Sequence, residues 1–111
     1  MINLNYLKTT TDNDTETIRT LLDMFKSQIP ELKSQIISAL DQKNYVALRE
    51  VAHKAKNSFQ ILGMQDETED LQKLEILCSQ EKDVHLYKGF VNRFINACDR
   101  SIQEIDKGFD L

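Results

Sequence analysis

The chain has 111 residues and a formal net charge of −4, with 41% apolar and 29% charged residues, which suits one domain spanning 1–111. Three glycines and one proline are few for a turn-rich β architecture and favour helices. The net charge argues against nucleic acid, and without a signal peptide or a run of about 18 apolar residues we expect a cytoplasmic protein that does not enter a membrane.

Residues 1–13 are predicted to form an N-terminal arm and loop. Apolar side chains between Ile2 and Leu7 predict a short segment that packs on the remainder of the chain. Asn13, with Glu16 three residues later, resembles a capping box and predicts the start of the first long helix.

Apolar residues then recur at helical spacing from Ile18 to Leu40. Pro30 lacks a backbone N–H, so we expect the helix to kink or restart there. Asn44 opens the next predicted helix, and Gly63 suits the left-handed position that ends it. The inward face of that helix is predicted to comprise Leu48, Ala52, Ala55, Phe59 and Leu62.

Two further helices complete the pattern. Asp66 and Glu69 predict the cap of the first, and the second should run from about Asp83 to Lys107, with Gly108 as its stop. Their predicted inward residues are Leu71, Leu74 and Cys78, then Val84, Tyr87, Val91, Phe94, Cys98, Ile102 and Ile105. Short connections imply antiparallel neighbours, so the sequence predicts an all-α fold, an antiparallel up-down four-helix bundle with an additional N-terminal helical segment.

His53 does not fit the core of this bundle. At 100° per residue it lies about 120–140° from the middle of its helix's apolar face. Its neighbours one turn away are Arg49, Lys56 and Asn57, with Gln60 two turns on. Imidazole is a nucleophile at neutral pH, and Lys56 can stabilise the charge of a phosphoryl group. The alternative for Lys56 is an ordinary solvated lysine.

Glu75 is predicted to lie level with His53. His53 precedes Leu62 by nine residues and Glu75 follows Asp66 by nine, about 13–14 Å along each helix of an antiparallel pair. A carboxylate there can accept the proton of one ring nitrogen and leave the other nitrogen free to attack. The alternative is a surface glutamate.

The segment 52–63 resembles the signature of histidine-containing phosphotransfer (HPt) domains. The matching positions are His53, Lys56, Ser58, Leu62 and Gly63. Asn57 departs from the pattern, since the family usually has glycine there, and Glu75 stands where the family often carries glutamate or glutamine.

The resemblance implies a relay function. A receiver-domain aspartate would donate a phosphoryl group to His53, which would pass it to another receiver domain, with the metal ion belonging to the receiver. We therefore expect no bound cofactor, no autokinase activity and no metal site. The expected partners are response-regulator receiver domains, a hybrid histidine kinase, or both. We expect the protein to be a monomer, and we expect its partners to dock on a surface formed by Arg49, Asn57 and Gln60.

Three other interpretations of the sequence compete with the relay function. A bundle of the same fold can act as an interaction module whose histidine is never phosphorylated. A metal site built from His53, His85 and the cysteines is disfavoured, because no metal-ligand spacing is present. A catalytic Cys–His pair is disfavoured, because both cysteines are expected to be buried and inert. Cys78 and Cys98 are expected to be reduced core residues.

Overall fold

Five α-helices and one short 3₁₀ turn make up the chain, and the structure, a computed structural model, describes all residues 1–111. The elements are α1 (Leu4–Thr10), α2 (Thr15–Asp41), α3 (Tyr45–Ile61), α4 (Gln65–Gln80), the 3₁₀ turn Val84–Leu86 and α5 (Tyr87–Lys107). Helices α2 to α5 form the predicted bundle, and α1 is the additional N-terminal segment. The predicted fold class is confirmed.

Each long helix packs against the next, and α5 returns to α2, which closes the bundle. One continuous core of 25 buried apolar residues fills its interior. Phe59 on α3 lies at its centre, with ring centroids 5.5 Å from Phe25 on α2 and 5.6 Å from Phe94 on α5. Such aromatic contacts fix three helices around one point.

Helix α1 is attached to the end of the bundle where α3 meets α4. Leu7 is fully buried in the core. The backbone N–H of Asn3 donates to the carbonyl of Leu62 at 3.0 Å, and that of Ile2 donates to Oε2 of Glu104 at 2.9 Å. The arm therefore connects this end of the bundle to α5.

The start and middle of α2 differ from the sequence-based expectation. Asp14, not Asn13, caps the helix by accepting from the N–H of Thr17 at 3.2 Å, because Asn13 adopts a left-handed φ of +60° that an N-cap residue does not have. Pro30 lies inside an unbroken helix, so of the two expected outcomes, a kink or a restart, the restart is wrong. Ile29 before Pro30 and Leu32 after it are both buried in the core, and this packing on either side of Pro30 keeps the helix continuous.

The starts of α4 and α5 were also misplaced. Helix α4 begins at Gln65, and the residue before it, Met64, is buried and makes no side-chain cap. Asp66 therefore lies in the first turn rather than at the cap. Helix α5 begins at Tyr87, because Asp83 adopts a left-handed φ of +52°, and Val84, predicted to point inward, is 40% exposed.

The remaining helix boundaries agree with the predictions. Asn44 caps α3 by accepting from the N–H of Ala47 at 3.1 Å. Gly108, with φ +84°, ends α5.

Tyr87 fixes the beginning of α5, since its hydroxyl donates to the carbonyl of Leu77 at 2.8 Å and its ring meets Tyr45 edge-on.

Candidate functional site

Helix α3 presents His53 on its outer side. The apolar residues of α3 that were predicted to face inward are all buried, which fixes the rotation of the helix about its axis. His53 follows the fully buried Ala52, and a step of one residue turns the side chain by about 100°. The imidazole consequently lies on the flank of the bundle, with 54% of its side-chain surface exposed.

Gly63 turns the chain back so that α4 runs beside α3. Its φ is +67°, and a Cβ placed there would lie 2.8 Å from the Cβ of Tyr6 and 2.9 Å from that of Asn3. Both the left-handed conformation and the close approach of the N-terminal arm require glycine. This tight reversal brings the middle of α4 to the level of His53.

Glu75 on α4 contacts both His53 and Lys56. Its Oε1 lies 2.8 Å from Nδ1 of His53, and its Oε2 accepts from Nζ of Lys56 at 2.9 Å. Because an ionised carboxylate only accepts hydrogen bonds, Nδ1 carries the proton of this contact, and in the neutral imidazole Nε2 then has the lone pair. The sequence placed Glu75 at this level, but the Lys56–Glu75 ion pair was missed.

The surroundings of Glu75 keep its carboxylate ionised. Burial raises the pKa of this carboxyl, but the hydrogen bonds from Lys56 and then His53 outweigh it and hold the pKa below its usual value. The side chains of Glu75 and Lys56 are 23% and 18% exposed. A fixed, ionised acceptor therefore lies against Nδ1 on the protein side of the ring.

An open groove of about 600 Å³ lies between α3 and α4 around the imidazole. Beyond the three residues just described, its lining includes Arg49, Lys54, Gln72, Ile76 and Ser79. The three α4 residues were not predicted from the sequence. Gln72 and Ser79 lie three and four positions from Glu75, and this helical spacing is the signal that would have found them. Ile76, the residue directly after Glu75, has no such signal.

The three residues predicted as a docking surface lie along the outside of α3 but border different grooves. Arg49 lines the groove of His53. Asn57 borders the space between α2 and α3, opposite Gln28. Gln60 borders a third depression, next to Tyr6 of α1. All three predicted residues are exposed, and their role in docking stays a prediction.

The other candidate groups lie apart from this site. Cys78 and Cys98 are free and buried, and burial raises the pKa of their thiols to about 11 and about 12, which leaves them in the unreactive thiol form. His85 is exposed in the 3₁₀ turn before α5. No three side chains among His, Cys, Asp and Glu are grouped so that they could hold a metal ion.

No helix of the bundle is both long enough and apolar enough to cross a membrane. Comparison with protein families shows that residues 20–107 match the family described as Hpt domain. The match covers most of the chain and includes the whole α3–α4 pair. No curated protein and no solved structure matches the chain significantly.

Proposed function

The chain belongs to the Hpt domain family, and from that premise we propose that His53 is its phosphoryl acceptor. Hpt domains are phosphocarriers in phosphorelay signalling and interact with receiver domains and histidine kinases. The observation that carries the assignment to His53 is its geometry. It is an exposed imidazole whose Nδ1 is bound 2.8 Å from a carboxylate, while Nε2 makes no hydrogen bond within the chain.

The proposed transfer uses the lone pair of Nε2. That pair attacks the phosphorus of a receiver's phosphoaspartate, a bond from Nε2 to phosphorus forms, and the bond from phosphorus to the aspartate oxygen breaks, so that the aspartate leaves as a carboxylate. The proton stays on Nδ1. The ring becomes cationic, and the ionised Glu75 stabilises that charge. The reverse sequence delivers the group to a second receiver.

Glu75 and Lys56 support this chemistry from the protein side. Glu75 fixes the tautomer and the plane of the ring, so that Nε2 faces solvent and an arriving partner. Lys56 holds the second oxygen of Glu75 and stabilises charge at the site. Phosphoryl transfer depends chiefly on alignment and charge stabilisation, and the receiver supplies its own acidic, metal-bearing site.

We also propose that the protein does not phosphorylate itself. The sequence contains no glycine-rich phosphate loop, so we expect no autophosphorylation from ATP. We propose a monomer, with residues 1–111 acting as one unit in the cytoplasm. Receivers would approach the outer side of α3, across Arg49, Asn57 and Gln60.

The test is incubation with a ³²P-phosphorylated receiver domain, followed by mapping of the labelled residue. The parent protein should carry a label that is stable in base and labile in acid, as a phosphorus–nitrogen bond requires. His53→Gln should abolish it without loss of helix content, and His85→Gln is the matched control that should retain it. Label that persists in His53→Gln would refute the assignment, and a parent that is never labelled would favour the interaction module.

A further inference from the structure

The positively charged side chains around His53 differ in their exposure and in their ion-pair partners. Nζ of Lys56 is bound to Glu75 at 2.9 Å and its side chain is only 18% exposed. Arg49 is exposed, lines the same groove and takes part in none of the ion pairs of the chain. Lys56 is therefore paired with Glu75 before any phosphoryl group arrives, whereas Arg49 is in no ion pair, although Glu50 lines the same groove.

We infer that Arg49 is the cation that contacts the phosphoryl group on His53, and that Lys56 is a positioning residue that acts through Glu75. The inference rests on the proposed transfer to His53 and divides its charge stabilisation between two residues. Arg49 lies four positions before His53 on α3, a spacing that places the two Cβ atoms about 5–6 Å apart on one face. Its long side chain can reach the oxygens of a group on Nε2.

The chemistry of the two side chains agrees with this division. A guanidinium offers a planar fork of N–H donors that matches two oxygens of a phosphoryl group. An ammonium is a compact point charge that suits a single carboxylate oxygen, and Lys56 is used in that way here. Lys54 also borders the groove of His53, but it lines the neighbouring spaces towards α2 as well, so Arg49 is the better placed of the two.

The negative charge of Glu75 also opposes the approach of a phosphoryl group. A carboxylate within hydrogen-bond distance of the ring repels the oxygens of an incoming phosphoryl group. Lys56 offsets that repulsion by neutralising Glu75, and it keeps Oε1 directed at Nδ1. A second cation in the groove around the ring, such as Arg49, would then face the phosphoryl oxygens.

The test uses phosphoramidate as the donor, a small molecule that separates the chemistry from receiver docking. Its phosphorus–nitrogen bond breaks, the new bond to Nε2 forms, and ammonia leaves with a proton from solvent. Arg49→Gln should slow labelling of His53 about tenfold, as expected for one lost charge-assisted contact. Arg49→Lys should recover part of the rate, because it keeps the charge and loses the fork.

Two spectroscopic readouts separate contact from positioning. Arg49→Gln should move the ³¹P resonance of the phosphohistidine and leave the Nδ1–H signal of unphosphorylated His53 unchanged. Lys56→Met should broaden or shift that Nδ1–H signal, because Glu75 loses its second anchor. The inference is overturned if Lys56→Met moves the ³¹P resonance while Arg49→Gln does not, or if Arg49→Gln slows transfer from a receiver only.

Failure of this inference is distinguishable from failure of the proposed function. If the parent protein takes no label on His53 from either phosphoramidate or a phosphorylated receiver, the proposed function fails and the inference fails with it. If the parent is labelled on His53 and Arg49→Gln matches its rate with both donors, the relay function stands and only the role of Arg49 is refuted.

Discussion

The two sides of α3 differ in what their residues contact. Ala52 and Phe59 are buried among the other helices, whereas His53, adjacent to Ala52 in the chain, exposes 54% of its side chain and is hydrogen-bonded to Glu75 of α4. One step along the helix separates a residue that holds the fold from the proposed phosphoryl acceptor. Changes on one side should therefore affect stability, and changes on the other side should affect transfer.

The largest expected effect on stability lies on the inner side, at Phe59. Phe59→Ala removes a ring that contacts Phe25 and Phe94 and should lower the free energy of unfolding by about 3–5 kcal/mol. His53→Gln should change it by less than about 0.5 kcal/mol, as for other exposed positions. Urea unfolding of both variants measures the difference, and comparable losses in the two would contradict the assignment of faces.

The largest graded effect on transfer is expected at Glu75. Glu75→Ala should slow phosphotransfer from a receiver by about ten- to a hundredfold, as for other residues that orient a reactive imidazole. Rapid-quench kinetics with one receiver measures the rate. The matched control is Glu69→Ala, an exposed glutamate on the same helix, which should transfer like the parent. Unchanged kinetics in Glu75→Ala would make Glu75 an ordinary surface residue.

Asn57 tests how far the outer side is used for docking. Asn57→Arg places a bulky side chain one turn beyond His53 and should slow transfer at least about tenfold by steric exclusion, while the bundle stays folded. Circular dichroism provides the folding control. A variant that transfers as well as the parent would show that receivers do not pass over Asn57.

Acid should remove a small contribution to stability that Glu75 makes. Its pKa is lowered in the folded protein from an ordinary value of 4.5, so the folded state binds fewer protons and this contribution is complete above that pH. It is lost as the pH falls through the lowered value. Relative to Glu75→Gln, the parent should be more stable by up to about 1 kcal/mol near neutrality.

The acid effect is measured by urea unfolding of the parent and Glu75→Gln between neutral and acidic pH. The stability difference should shrink to nothing once Glu75 is protonated in the folded state. A difference that grows on acidification would contradict the sign of the shift.

The smallest expected effect is that of Asn57→Gly. Glycine in the middle of a helix costs more conformational entropy than asparagine, so stability should fall by about 0.3–0.5 kcal/mol. Thermal unfolding would detect a shift of about 2 °C. Transfer should be intact or faster, because the surface beside His53 becomes lower. A clear loss of transfer would instead assign the Asn57 amide a direct role.

Periodicity was sufficient to predict the helices and most of the core, because burial of an apolar face fixes the rotation of each helix. It was less reliable at the helix starts. Asn13 and Asp66 both have side chains that can cap, but the left-handed φ of Asn13 and the burial of Met64 placed the starts elsewhere. Such outcomes depend on packing of the loops, which local propensity does not contain.

The candidate site also has a part that could be predicted from the sequence and a part that could not. Counting nine residues back from Leu62 and nine residues on from Asp66 was enough to bring Glu75 to the level of His53, since helical rise is regular. The ion pair between Lys56 and Glu75 could not be predicted by counting residues. A lysine side chain has several rotatable bonds and can reach residues that lie higher or lower along the neighbouring helix. The resemblance to HPt domains placed Lys56 near the reaction, and the contact with Glu75 distinguishes its surroundings from those of Arg49.

The most direct test of the central claim is nuclear magnetic resonance of the ¹⁵N-labelled imidazole of His53 before and after transfer from a phosphorylated receiver. Before transfer, the proton should be found on Nδ1, the nitrogen that lies 2.8 Å from Glu75. After transfer, a ³¹P–¹⁵N coupling should appear at Nε2 of His53, with Nδ1 still protonated. A coupling at Nδ1, or at either nitrogen of His85, would contradict the account.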